Sequence, residues 1–567
     1  MLKKLFKLLI FILLIADVQA QSVAHFDYFT YKGNDDFYKQ HPLKDSESFY
    51  NPLHPGFYPD PSICRRGNDY FQVNSTFSYF PGLPIFHSKD LVNWRQIGNV
   101  INRPTQVSFA GLGTSAGLYA PAIEYNPHNK MFYLVCTNIG EGGNFVVKTD
   151  DPFKGKWSDP IWLKFNGIDP SIFFDKDGRG YIVNNGDPEV PSRYNGHKAA
   201  WLQEFDTKTD QMVGPRKVLR DGGFRPQDKP IWIEGPHVYL IKGKYYLMTA
   251  EGGTGDNHSE VIYRSDSLWG KYEPYAGNPI LTQRTLSRGR TNPVSNTGHA
   301  DIIDTPEGDW WSVFLGCRPF QYPYENLGRE TFMMPVKWSA DGFPILTQGN
   351  DTVPLIIRRK GVKRDPKILR GNFTVTDQFS STKLGHEWLM LRTPLQLPYS
   401  LTATKGFLDL KCLPITSLER KTPAAVLRRI QHHKFEVVTS VSFQPKTEKE
   451  AAGIIIFRDE PYQYQLLISK KNAVTTLSLI KVIPQEVEKQ KKAVSTVLAT
   501  SAPLKNISAL KLKVVSDGPT FSFYYSENNK WMQIGDKVDA KHLTTEVTGG
   551  FIGTTIGMYA TGNFELK

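Results

Sequence analysis

The sequence predicts an all-β protein of two domains: a five-bladed β-propeller followed by an antiparallel β-sandwich. Three observations carry that expectation. A hairpin-like segment recurs five times between residues 60 and 315, convincing amphipathic helices are scarce, and texture and charge both change after about residue 356. At 567 residues the chain is also too long for one compact core, which favours two domains.

The first element, "MLKKLFKLLIFILLIADVQA", places Lys3, Lys4 and Lys7 before an apolar run from Leu8 to Ala16, then small residues at Val18 and Ala20. This is the pattern of an export signal covering 1–20, so a periplasmic or secreted protein is expected. The apolar run is too short to span a bilayer, and no later segment predicts a membrane span. Gln21 stands where a lipid-anchored protein would need a cysteine. Residues 21–49 are read as an N-terminal extension. The four cysteines, Cys64, Cys136, Cys317 and Cys412, lie far apart without C-x-x-C spacing, which points to buried thiols rather than a metal knuckle or disulfide framework.

The propeller is expected over 50–355. Its copies are "DPSICRRGNDYFQVNS" from Asp60, "APAIEYNPHNKMFYLVCT" from Ala120, "DPSIFFDKDGRGYIVNN" from Asp169, "EGPHVYLIKGKYYLMTA" from Glu234 and "HADIIDTPEGDWWSVFL" from His299. Each reads as a β-branched strand, a Gly/Asn/Asp turn and an aromatic strand. Spacings of 49 to 65 residues match a propeller blade. Proline at a strand start breaks no ladder bond, so packing alone explains D-P-S. It does not explain why four of five copies lead with Asp60, Asp169, Glu234 and His299. Inner strands crowd one axis, so these groups should meet at one mouth of it. Unpaired carboxylates brought together there are costly unless they do chemistry.

Facing carboxylates in a sugar-sized pocket are the working parts of glycoside hydrolysis. One must hold a proton for the leaving oxygen and another must activate water. A third raises the acid's pKa by like-charge repulsion. No G-x-S-x-G elbow, P-loop or H-E-x-x-H suggests another chemistry.

The stretches "FYPDPSI", "FPGLPIFHSKDLVNW", "NRPTQ", "GLYAPAIEY", "GIDPSIFFD", "WIEGPHVY", "TAEGGT", "GHADII", "LGCRP" and "LGRETF", in that order, resemble family 43 glycoside hydrolases. The similarity is to the β-xylosidase and α-L-arabinofuranosidase members that carry a C-terminal sandwich. The resemblance implies that Asp60 is the general base, Glu234 the general acid and Asp169 the residue that tunes and orients the acid. It implies that Arg329 binds a sugar hydroxyl, that Phe77 and Tyr119 line the terminal-sugar subsite, and that His299 sits near the axis. Some similar enzymes hold a water-coordinated calcium there, but no metal ligand or required cofactor is assigned. Many relatives read F-E-W-F-P-G where this chain has "FSYFPG", so Ser78 and Tyr79 are expected changes in the pocket wall. Tyr119 stands where Trp is frequent.

The basic stretch 356–367 opens a linker expected over 356–370, and the sandwich is expected over 371–567. Runs such as "FEVVTSVSF", "AAGIIIFRD" and "YQYQLLIS" alternate with period two. From Arg358 onward there are 32 Lys+Arg against 18 Asp+Glu. These charges are scattered among strands, which describes a solvated surface rather than a nucleic-acid footprint. In similar enzymes this domain is lectin-like and a loop of it narrows the pocket; a residue of "GGFIGTTIGMYATGN" is expected to reach it, with Phe551 one candidate. The expected function is exo-acting, inverting release of β-D-xylose from xylo-oligosaccharides. Alternatives are an α-L-arabinofuranosidase removing arabinose side chains from arabinoxylan or arabinan, and a non-catalytic glycan-binding propeller.

Overall fold

The computed structural model describes residues 21–487 and 489–565; the expected export segment, 1–20, lies outside them. Five antiparallel sheets follow one another around an axis. Their inner strands are Ser62–Arg66, Gly117–Asn126, Ile168–Phe174, Glu234–Ile241 and Ser295–Asp304. The first four sheets meander outward through at least four strands, and the fifth has three. The turns follow their residues. Lys242 and Gly243 both take positive φ (49° and 77°), the two-residue geometry that suits the right-handed twist of a hairpin.

A ring of blades has to close, and Asn51 closes it. Its side-chain amide donates to the Met333 carbonyl at 3.1 Å, while its carbonyl oxygen accepts from the Met333 N–H at 3.0 Å. Beside it, His54 bridges to Thr331. The first segment of the propeller is thereby stitched onto the outer strand of the last blade.

The sandwich packs a nine-stranded sheet on a six-stranded one, burying Phe26, Tyr31, Val437, Leu466, Leu512 and Met558 between them. Residues 21–49 are not a free extension. Val23–Gly33 is a strand inside the nine-stranded sheet, pairing with Leu408–Lys411, Thr374–Asp377 and Lys434–Ser442. Ala24 and Phe26 point inward, then Phe29 and Tyr31 do; a bulge at Asp27 shifts the phase by one residue. The linker is likewise strapped down, with Ile356–Arg358 pairing with Ser48–Tyr50 and Arg359 Nη1 donating to the Asp90 carbonyl at 2.7 Å.

The two domains share an interface that abuts the pocket. Tyr79–Phe80 pairs with Met390–Leu391 of the sandwich. A buried cluster runs through Phe57, Phe77, Tyr79, Leu427, Ile552 and Tyr559. Arg392 forms a buried ion pair with Glu460, which also accepts from Thr114 Oγ1 at 2.8 Å.

Candidate active site

Each inner strand carries, at or near its pocket end, a kink in the left-handed region. Asp60 (φ 51°), Ala120 (39°), Asp169 (52°), Gly235 (54°) and His299 (52°) occupy equivalent positions, one per blade. Asp and His tolerate this region better than most residues, and the kink turns their side chains off the ladder. The fourth repeat therefore differs from the sequence alignment: Gly235, not Glu234, is the counterpart of Asp60 and Asp169. Glu234 sits one residue earlier. A Cβ at 235 would fall 2.9 Å from the His299 ring, so the kink there needs glycine, and the carboxylate comes from the preceding position.

Asp60, Ala120, Asp169, Glu234 and His299 line one cavity of about 590 Å³, within the usual range for small-ligand pockets. Asp60, Asp169, Glu234, His299, Arg329, Phe77 and Tyr119 all face it, and Phe551 reaches it from the sandwich. The seven residues assigned catalytic or sugar-binding roles are thus brought together there. Ser78 and Tyr79 are not. Ser78 Oγ donates to the carbonyls of Gly113 and Ala116, while Tyr79 is fully buried against Phe57 and Thr555 in the domain interface. The departure at 79 thus shapes the interface, that at 78 ties down a propeller loop, and Tyr119 alone of the three alters the wall.

The three carboxylates have different surroundings. Asp60 Oδ2 accepts from Ser75 Oγ at 2.6 Å, and Ser75 in turn accepts the Ala120 N–H at 2.7 Å. Asp60 Oδ1 faces Arg329 Nη1 at 3.5 Å and His299 Nδ1 at 3.9 Å. Asp169 Oδ2 accepts from the Gly235 N–H at 3.2 Å. Burial and then the Asp60 charge push the Asp169 carboxyl above the usual range. Burial and then Asp169 push Glu234 well above it. Burial also lowers His299 to about 4, so its ring is neutral at ordinary pH.

Arg329 does not pair with its neighbour Glu330, which is held by Arg318 at 2.7 and 2.8 Å. Its guanidinium is aimed at Asp60 and lies 4.9 Å over the Phe551 ring. Phe77, Tyr119 and Phe551 form a wall of mutually packed rings 5.3–6.3 Å apart. Ser75 was not singled out from sequence; its position after the second strand of blade 1 is its only signal. Glu251 and His258 brace loops: Glu251 Oε2 accepts the Phe224 N–H at 2.8 Å, and His258 Nδ1 faces the Asn296 carbonyl at 2.9 Å.

A smaller cavity of about 380 Å³ is lined further along the inner strands by Ser62, Tyr239 and Asp301. There Ser62, the Ile63 N–H and Tyr239 all donate to Asp301, leaving a satisfied structural hub. Among the described residues, no group of three or more His, Cys, Asp or Glu is arranged to hold a metal.

A propeller presenting three buried carboxylates to a pocket walled by aromatics and one arginine defines a carbohydrate-cleaving hydrolase. Comparison with known proteins gives the family. Residues 49–344 match the model for glycosyl hydrolases family 43, and residues 376–566 match the beta xylosidase C-terminal concanavalin A-like domain. The chain belongs to this family and is a glycosidase. It is 36% identical over 524 residues to a xylosidase/arabinosidase of Butyrivibrio fibrisolvens, covering 90% of this chain and 96% of the relative. It is 37% identical to a non-reducing end alpha-L-arabinofuranosidase of Bacteroides ovatus, covering 91% and 92%. Among solved structures, a GH43_12 protein retrieved from capybara gut metagenome superimposes with a TM-score of 0.88 at 42% identity, covering 95% of this chain and 99% of that one.

Proposed function

We propose that the protein is an exo-acting, inverting hydrolase that releases terminal β-D-xylose from xylo-oligosaccharides. The observation that carries this reading is the unequal treatment of the carboxylates in one cavity. Glu234 is buried beside Asp169, and both effects push its carboxyl well above the usual range, as suits a general acid. Asp60 faces two donors, Ser75 and Arg329, as an acceptor does. In one displacement, water attacks the anomeric carbon and gives its proton to Asp60. The bond to the leaving oxygen breaks as Glu234 delivers its proton there, and the configuration inverts. Asp169 keeps the acid protonated and anchors the Gly235 kink beside it.

The end of the pocket closed by Phe77, Tyr119 and Phe551 supports exo action on one terminal sugar. A second reading, α-L-arabinofuranose release, is favoured by Tyr119 in that wall and by the names of the two curated relatives. The expected signal supports work outside the cytoplasm; among the described residues no helix is long and apolar enough to cross a membrane. A calcium near His299 would take most of its six to eight oxygens from water, since the protein groups beside it are the His299 ring nitrogen and an Asp60 already held by Ser75 and Arg329. No step is assigned to a metal.

The test is kcat/KM on aryl β-D-xyloside and aryl α-L-arabinofuranoside side by side. A clear preference for the xyloside is expected. Preference for the arabinofuranoside would hand the role to side-chain removal.

A further inference from the structure

Trp232 holds φ 54°. For a bulky aromatic this is a genuine outlier that costs of order 1–3 kcal/mol. The backbone around it is pinned in that state: the Trp232 N–H donates to the Gly196 carbonyl at 2.8 Å, and the Ile231 carbonyl accepts from the Gly252 N–H at 2.9 Å. Strain of this sort persists where surrounding structure enforces it, typically at ligand sites. The other left-handed residues of this cavity, Asp60, Phe77, Ala120, Asp169 and His299, conform to that pattern.

The strained backbone delivers an indole that is 39% exposed, on the lip of the cavity and two residues ahead of Glu234. Lys198 Nζ lies 5.0 Å from the ring centroid and lines the same cavity with Ile231. The ammonium is otherwise held at 2.6 Å by Asp187, whose side chain is 81% exposed; such a surface pair contributes little and leaves the ammonium available. The pocket thus has two aromatic surfaces. Phe77, Tyr119 and Phe551 close around Arg329 and Asp60, where the terminal sugar and attacking water belong. Trp232 and Lys198 stand on the blade 3 and blade 4 side, next to the acid. Glu234 protonates the leaving oxygen, so a surface beside it meets the sugar that departs.

We propose that Trp232 and Lys198 form the leaving-group subsite: the exposed part of the indole packs against a pyranose and the ammonium at the ring's face binds that sugar's hydroxyls. The subsite makes the enzyme selective for oligosaccharides over glycosides whose leaving group has no ring. This rests on the xylosidase reading for the choice of substrates.

Trp232→Gly tests it, because glycine accepts positive φ and the fold is not penalised. The readout is the ratio of kcat/KM on xylobiose to kcat/KM on methyl β-D-xyloside, two substrates with alkoxide leaving groups that differ in the ring. The ratio should fall roughly 3- to 10-fold relative to the native enzyme, with Tm unchanged or higher. Lys198→Met should lower the same ratio, through KM for xylobiose. A ratio unchanged in both variants, or a lowered Tm with an unchanged ratio, overturns the proposal. Failure of the xylosidase reading is separately visible as a native enzyme inactive on both xylosyl substrates. The same ratio is then taken with an α-L-arabinofuranosyl xylobiose and methyl α-L-arabinofuranoside, again two alkoxide leaving groups that differ in the pyranose ring, with the same criterion.

Discussion

The ring of Phe551, carried by the sandwich, lies 4.9 Å from the guanidinium carbon of Arg329, carried by the propeller. The same arginine faces Asp60 at 3.5 Å. The second domain therefore supports the residue that faces the proposed base, and the catalytic pocket is completed across the domain boundary.

Phe551→Ala removes this support and one ring of the pocket wall. A cation–π contact at a partly desolvated site contributes on the order of 1–2 kcal/mol, so kcat/KM on xylobiose should drop roughly 5- to 30-fold, mainly through KM. Steady-state kinetics check this, with an unchanged circular dichroism spectrum excluding misfolding.

Glu234→Gln keeps the shape of the acid and removes its transferable proton. General acid–base catalysis contributes about 10²–10⁴-fold. Hydrolysis of xylobiose should fall within that range, and a dinitrophenyl glycoside, whose leaving group needs no proton, should lose far less. Asp60→Asn should depress both substrates alike, because water activation is common to them.

Asp169→Asn bears on pH. Glu234 works protonated, so activity falls as pH rises through its pKa. Burial and the Asp169 charge both raise that pKa; removing the charge lowers it. The alkaline limb of the kcat/KM profile should therefore move to lower pH, which a profile of native and variant enzymes reads directly. A limb that stays in place would show that burial alone holds the proton.

Arg392→Met breaks a buried pair and leaves Glu460 without its cation. It also removes donors to the Leu112 and Lys421 carbonyls. Orphaning one member of a buried pair costs about 3–5 kcal/mol. Denaturant unfolding should show a loss of that order, in the domain that carries both residues.

The blades were legible because each repeats the same strand, turn and aromatic strand. The carboxylates were legible because the repeat made Asp60 and Asp169 equivalent. What the pattern hid was phase. One left-handed residue at each strand start moves the side chains that follow by one position, and the E-G-P order of the fourth copy conceals that glycine holds the kink. A bulge at Asp27 likewise interrupts the alternation of Val23–Gly33 and disguises a sandwich strand as an extension. Long-range contacts leave no local periodicity, so Ser78 and Tyr79 read as pocket wall although Ser78 ties down a propeller loop and Tyr79 serves the interface. Ser75 and Trp232 were invisible for a related reason: their importance comes from a hydrogen bond across blades and from backbone strain.

The stereochemical course tests the central claim most directly. Proton NMR of xylobiose hydrolysis, recorded before mutarotation, identifies the first xylose anomer released from the non-reducing end. The single-displacement account with Asp60 as base and Glu234 as acid predicts α-xylose first. Initial β-xylose would mean retention through a covalent intermediate, and would contradict the roles assigned to both residues.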